Sequence, residues 1–458
     1  MTNRPVLVWF RNDLRIDDHP ALRAAADSER PVAAVYVLDD ALDGRPLGGA
    51  ARWWLHHSLV RLRDNLGSLG VPLVLRRGPA ADVIPALAAE AGAATVVWNQ
   101  GATPFQRTAD AAVAEALRRA GVPPNLTAPD LIADPDAVLS GAGRPYRVFT
   151  PFWRALSRDH APALPTDAPT ATRGLNAPPP GDALEDWSLL PTRPDWAGGL
   201  RDTWDPGEDG AFARLETFLG EAVGSYGTQR NYPAIEGTSR LSPHLRFGEI
   251  SLRRLWHVAQ AVGGDRAEPF LREVGWAEFN RHQLFQQPAL HETPLRPEFA
   301  AFPWQEDHAG FRAWCEGRTG YPIVDAGMRQ LWHTGWMHNR VRMITASFLV
   351  KDLLVPWQWG ETWFWDTLVD ADAANNPGGW QWVAGCGSDA APYFRVFNPT
   401  LQSEKFDPRG AYIRRWLPEL SGVPDRTLHH PGPAALVDHN AARRRALAAY
   451  QEIAGAGD

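Results

Sequence analysis

The hydrophobic period of this chain changes once, and that change constrains its fold more than any composition figure. From Val6 to about Thr127, short apolar runs (VLVWF from Val6, VAAVYVL from Val32, PLVLRR from Pro72, TVVW from Thr95) alternate with helix-like stretches such as 52–69 and 107–120. Apolar runs separated by helices predict a parallel sheet in a doubly wound α/β domain. Ligands of such sheets sit beyond the carboxyl ends of the strands, here 10–13, 38–40 and 99–105. No GxGxxG or GxxxxGK(S/T) string follows any of these runs, which argues against a standard dinucleotide or P-loop site.

From Glu208 onward the period becomes helical. AFARLETFLGEAV, ISLRRLWHVAQAV, FLREVGWAEFNRHQLF and the long string VDAGMRQLWHTGWMHNRVRMITASFLVKDLL repeat apolar residues at three- and four-residue intervals. Residues 158–210 between the two regions are rich in proline and lack long apolar runs, as a connector does. The 458 residues are about three times an average domain. The expected division is therefore an α/β domain over 1–130, a connector over 131–207 and an all-α domain over 208–458.

Several classes are excluded. The longest membrane-span candidate, 343–359, carries Lys351, Asp352 and Pro356, so no span is expected. The apolar stretch after Arg4 is too short for a signal-peptide core, and Cys315 and Cys386 are too few for a disulfide framework. A cytoplasmic protein with two unbonded cysteines is expected. With 46 cations against 53 anions, net −7, the chain does not coat nucleic acid by bulk charge, although a focused basic groove remains open. Only Lys351 and Lys405 are lysines, so nearly every cation is a guanidinium able to fork onto phosphate. The 21 tryptophans can fill cores, stack on bases or carry electrons.

Three strings combine residues suited to chemistry. YGTQRNYPAIEGTSRLS places Thr238, Ser239 and Ser242 beside Arg240, a set that either cradles a pyrophosphate or caps a helix. In FLREVGWAEFNRHQ the spacing puts Glu273, Trp276 and Asn280 on one helical face, where an acid and an indole can meet one heterocycle. GWMHNRVRM presents Asn339, Arg340 and Met343, with His338 a structural hydrogen bonder because no metal-ligand spacing accompanies it. Residues 357–395 hold six tryptophans, Asp370, Asp372, Asn375 and Asn376. The paired acids suggest a divalent ion, but the neighbouring asparagines and glycines look more like a cofactor wall, and no metal is expected.

The strings VLVWFRNDLRIDDHPAL, EGTSRLSPHLRFGEIS, FLREVGWAEFNRH, GYPIVDAGMRQLWHTGWMHNRVRMITASFLVKDLL and DADAANNPGGWQW resemble the photolyase/cryptochrome family, most of all its class I cyclobutane-dimer photolyases, in family order over 6–408. The resemblance implies an N-terminal antenna domain, a helical domain holding bent FAD, and light-driven splitting of pyrimidine dimers in damaged DNA. It assigns Tyr226, Thr238, Ser239, Arg240, Leu241 and Ser242 to FAD phosphate and ribityl contacts. Asp370 and Asp372 fall beside ring and ribose, Arg342 pairs with Asp370, and Asn376 faces the flavin N5. Glu273, Trp276, Asn280, Asn339, Arg340, Met343, Trp382, Arg395 and Gln402 match lesion or DNA contacts, and Arg230 a backbone phosphate contact. Trp380, Trp357 and Trp304 match the electron relay.

Two departures accompany the match: Ala277 stands where relatives often carry arginine, and Pro377 follows Asn376. The antenna is expected at the carboxyl edge of the sheet as a deazaflavin, a folate or a flavin, with ATPFQR over 102–107 and Arg52 closest to deazaflavin binders. Alternatives to dimer repair are a blue-light receptor of cryptochrome type and a six-four photoproduct enzyme. About fifty residues follow the last family string, so no long signalling tail is expected; the chain is expected to act as a monomer.

Overall fold

Val6–Phe10 and Val32–Leu38 are apolar and buried at every position, so they belong in the middle of a sheet covered on both faces. The computed structural model, which describes residues 4–390 and 394–455, places them there. Strands β1 (Val6–Phe10), β2 (Val32–Leu38), β3 (Leu73–Arg77), β4 (Thr95–Asn99) and β5 (Pro124–Thr127) pair in parallel in the order β3-β2-β1-β4-β5. β5 lies outside the apolar runs of the sequence because it is a short, largely exposed edge strand with no apolar face to reveal it.

Helices α1 (Pro20–Asp27), α2 (Gly49–Ser68), α3 (Ala80–Glu90) and α4 (Pro104–Arg119) connect the strands. α1 and α4 both begin at a proline behind a side-chain cap. His19 Nδ1 accepts from the Leu22 amide at 3.0 Å, and Thr103 Oγ1 from the Gln106 amide at 3.3 Å.

The proline-rich connector is packed rather than free. It contains α5 (Phe149–Asp159) and α6 (Gly198–Thr203). Ile132, Phe149, Phe152 and Leu156 are buried in the core of the helical region, whereas Leu184, Trp187 and Leu189 enter the core of the sheet domain. Proline content reports backbone shape here, not solvation.

The helical region runs through α7 (Glu208–Glu221), α8 (Tyr226–Gln229), α9 (Ser242–Phe247), α10 (Leu252–Gly263) and α11 (Glu268–Gln286). It continues with α12 (His308–Cys315), α13 (Pro322–Thr334), α14 (Asn339–Ser347), α15 (Trp357–Thr367), α16 (Asn375–Ala384) and α17 (Pro399–Phe406). The long helical string of the sequence is not one helix. α13 closes on Gly335 at φ +65, a left-handed cap that glycine adopts without strain, and His338 Nδ1 caps α14 by accepting from the Arg340 amide at 3.2 Å. Among the described residues no helix is long and apolar enough to cross a membrane, and no cluster of metal-binding side chains occurs.

The two regions share a core. Phe247, Trp336 and Val369 pack into the cluster built on β1, β2 and α2. Glu249, fully buried, accepts from Trp54 Nε1 of α2 at 3.0 Å, and its other oxygen meets His244 Nδ1 at 2.5 Å. A buried carboxylate persists only when so partnered.

Candidate functional site

A cavity of about 570 Å³ opens in the helical region, a size suited to a cofactor or drug-sized ligand. α8 and the segment leading into α9 contribute Tyr226, Arg230, Thr238, Ser239, Arg240, Leu241 and Ser242; α11 contributes Glu273, Trp276 and Asn280. α14 adds Asn339, Arg340, Arg342 and Met343, and the segment through α16 adds Asp370, Asp372, Asn376, Trp380 and Trp382. Strings far apart in sequence thus converge on one space.

One wall is polar and incompletely satisfied. Asp370 Oδ2 accepts from Ser242 Oγ at 2.6 Å and from Arg342 Nη2 at 2.7 Å, while Oδ1 is buried without a partner. Trp380 Nε1, Arg240 Nε and Arg340 Nε are likewise buried and unpaired. Orphaned polar atoms around a cavity fit a polar ligand that completes them. Arg240 holds φ +51, a strained value for a side-chain-bearing residue, and its guanidinium lies 5.1 Å over Trp336.

Asp372 lines the cavity with its carboxylate bonded within the chain. Its Oδ1 accepts from the Ala374 amide at 2.8 Å and from the Asn375 amide, and its Oδ2 from Asn375 Nδ2 at 2.6 Å, so its carboxylate caps α16. Asn376, buried, donates from Nδ2 to the Glu361 carbonyl at 3.0 Å and to Glu361 Oε1 at 2.7 Å. His338, behind this wall, is pushed down to about 3 by burial and by the cations Arg240, Arg340 and Arg342.

The mouth is aromatic and charged. Trp276 stacks on Phe149 at 3.8 Å and 12°, so α5 covers one face of the indole. Arg230 donates to Glu273, and Arg340 Nη2 donates to Asn231 Oδ1 at 2.6 Å. Asn280 Nδ2 donates to Asn375 Oδ1 at 3.0 Å, tying α11 to α16.

Of the residues predicted for FAD, electron relay or DNA, four lie outside the lining. Trp357 is buried in the core, and Trp304 is half-buried against Phe302 at 4.4 Å. Arg395 is exposed, and Gln402 is half-buried on α17. Among the described residues, the aromatic rings in contact with Trp380 are Phe364 at 4.9 Å and Trp314 at 6.0 Å. Trp314 leads through Phe311 at 6.0 Å to the half-buried Trp359, 5.4 Å further on.

Sequence reasoning missed Phe149, Trp314, Trp359 and Glu361. Only Glu361 left a local signal, as the one carboxylate inside the apolar string WQWGETWFW.

A second, smaller crevice lies at the carboxyl edge of the sheet, where β1 and β4 diverge. It is lined by Arg11, Asn12, Asp13, Asn99, Thr103 and Gln106 among others, and holds only about 60 Å³. Its groups satisfy one another: Arg11 donates to Asp110 Oδ1 at 2.7 Å, Asn99 Nδ2 to Asp13 Oδ2 at 2.7 Å, and the Ala102 amide to Gln106 Oε1 at 3.0 Å. This crevice does not by itself enclose a ring the size of a flavin's. Arg52 does not line it. Its guanidinium donates to the carbonyls of Trp187, at 3.4 Å, and Ser188, at 3.1 Å.

Known proteins share this architecture. Residues 6–170 match the family model described as DNA photolyase, and residues 270–452 the one described as FAD binding domain of DNA photolyase. A deoxyribodipyrimidine photo-lyase of Agrobacterium fabrum is 46% identical, covering 98% of each chain. Cryptochrome-1 of Arabidopsis thaliana is 37% identical over 93% of this chain and 64% of its own. The crystal structure of a bacterial class III photolyase from Agrobacterium tumefaciens superposes with a TM-score of 0.95 at 45% identity, covering 99% of this chain and 98% of the other. The chain belongs to the DNA photolyase family, which includes the cryptochromes.

Proposed function

We propose that the cavity holds FAD and that the protein uses light to split cyclobutane pyrimidine dimers in DNA. One observation carries this reading: a single cavity offers a wall of hydroxyls, guanidiniums and orphaned polar atoms beside a mouth bearing Trp276, Trp382, Glu273 and Met343. When bound, FAD supplies a light-excited electron donor. Thr238, Ser239, Ser242 and Arg240 hold its phosphates and ribityl chain, and Asp370 Oδ1 accepts a hydrogen bond from it.

A dimer must leave the duplex to reach the cavity, and its disturbed stacking lowers that cost. Trp276, backed by Phe149, and Trp382 receive the two pyrimidines. Glu273 accepts from pyrimidine N–H groups, and the adjacent Arg230 brings positive charge to the carbonyl edge and the phosphates. The net reaction breaks two carbon–carbon bonds and is redox-neutral, so no protein group is consumed. Arg340, Arg395 and Gln402 extend the DNA contact, making affinity fall with salt despite the net charge of −7.

The flavin-reducing relay runs from Trp380, through Trp357 and Trp304 or through the contacting rings of Trp314, Phe311 and Trp359. An antenna chromophore, a deazaflavin, folate or flavin, sits at the carboxyl edge of the sheet. The protein acts as a cytoplasmic monomer.

A six-four enzyme is disfavoured because that branch of the family places a histidine pair in its lesion pocket, whereas the described residues lining this cavity include Asn339 and Met343 and no histidine. The cryptochrome reading draws on the Arabidopsis relative, but Trp276 and Glu273 at the mouth favour repair. The absorption spectrum of the purified protein, followed by dimer repair under blue light, tests the proposal. Bound flavin without loss of dimers would favour the receptor.

A further inference from the structure

The loop after β2 belongs to the sheet domain, yet it braces the cavity wall at two points. Arg45 places both terminal guanidinium nitrogens on the Glu361 carboxylate, one at 2.8 Å, and lies 3.7 Å over the Trp365 ring. Asp43 accepts from Arg246 at 2.6 Å, and Arg246 donates onward to the Ala371 carbonyl at 2.7 Å. The loop is pressed against α15: Trp365 Nε1 donates to the Pro46 carbonyl at 2.9 Å, and a Cβ at Gly48 would lie 2.1 Å from the Trp365 carbonyl oxygen. Only glycine permits that approach.

Glu361 is 1% exposed and takes Arg45 as its counter-charge. Its backbone carbonyl and its Oε1 are the two atoms that receive Asn376 Nδ2. Neither oxygen donates, so the amide nitrogen must face them. The amide oxygen of Asn376, on a side chain that lines the cavity, is therefore the atom left to meet a ligand.

We propose that Arg45 is a positioning residue for the flavin: by pairing with Glu361 it locks the Asn376 amide with its oxygen toward the cavity, so the sheet domain takes part in setting the flavin's redox preference. This rests on the proposed placement of Asn376 at the N5 edge of the ring. An acceptor there favours the reduced ring, which carries a proton on N5, over the oxidised ring, which carries none. Without Arg45, Glu361 is buried with no counter-charge, nothing holds its carboxylate where it receives Asn376 Nδ2, and the amide loses its fixed orientation.

The test measures the two-electron midpoint potential of FAD bound to the full-length protein, together with FAD affinity and thermal stability. Arg45→Met should disfavour the reduced form about tenfold, a shift of about 30 mV to more negative potential. Arg45→Lys, which keeps the charge, should recover most of it. Glu361→Met should shift the potential in the same direction, and adding Arg45→Met to it should shift it no further. That double variant replaces a buried ion pair with apolar side chains, a change that folds commonly tolerate, so the experiment survives if Arg45→Met alone does not fold.

Lower thermal stability with an unmoved potential would make Arg45 a structural residue and overturn the inference. Asn376→Ser separates the two readings. An unmoved potential there defeats both the placement of Asn376 and the role of Arg45. A moved potential with Arg45→Met and Glu361→Met silent defeats the role of Arg45 alone.

Discussion

Trp276 has one face covered by Phe149, so only its other face is available for stacking. Trp276→Ala should weaken binding of dimer-containing DNA by ~1 to 3 kcal/mol while FAD stays bound; titration of a dimer-bearing oligonucleotide measures this. Glu273 is held by Arg230 in the free protein. Glu273→Gln keeps the shape but removes the charge, so damaged DNA should still bind while repair per absorbed photon falls. Wild-type yield would reduce Glu273 to a solvated surface charge. His338 titrates near 3 in the fold against 6.5 for a free histidine. Between those values the unfolded chain binds a proton that the fold refuses, so stability is full above the upper value and is lost as pH falls toward the lower. His338→Asn preserves a capping side chain without that titration. It should lose less stability than the wild type between about pH 7 and about pH 4.5, by up to about 2–3 kcal/mol in denaturant titrations.

At the level of elements, α11 shows how far local pattern reaches. Its three- and four-residue spacing puts Glu273, Trp276 and Asn280 on one face, and all three line the cavity. The α13–α14 string shows the limit, because apolar periodicity passes through Gly335 without registering that the chain turns there. The relay is an element-level question too. Trp380 on α16 touches Trp314 of α12, and that contact leads on to Trp359 of α15. Trp359→Phe should therefore slow photoreduction of oxidised flavin about as much as Trp304→Phe, and both should spare repair by chemically reduced protein. Transient absorption under blue light distinguishes them. A wild-type rate in Trp359→Phe alone would leave the Trp357 and Trp304 route as the carrier.

For the whole molecule, the shared core predicts that sheet and helical regions unfold together. Phe247, Trp336 and Val369 would be stripped of their neighbours if the sheet domain melted alone. Fluorescence and circular dichroism should follow one urea transition, and two resolved transitions would contradict the coupling. The motif strings identify the family rather than its branch, since the strings that resemble class I accompany a TM-score of 0.95 to a class III structure. By itself the sequence determined the two fold regions and most of the cavity lining, because strands buried on both faces must be continuously apolar and the family strings carry the lining residues. Only the tertiary structure decided that Phe149, ahead of the proline-rich stretch, backs Trp276. It alone also brought Arg45 to Glu361, 316 positions away. Local period records which face of an element is buried. It does not record what lies across that face, since packing chooses partners at long sequence separation.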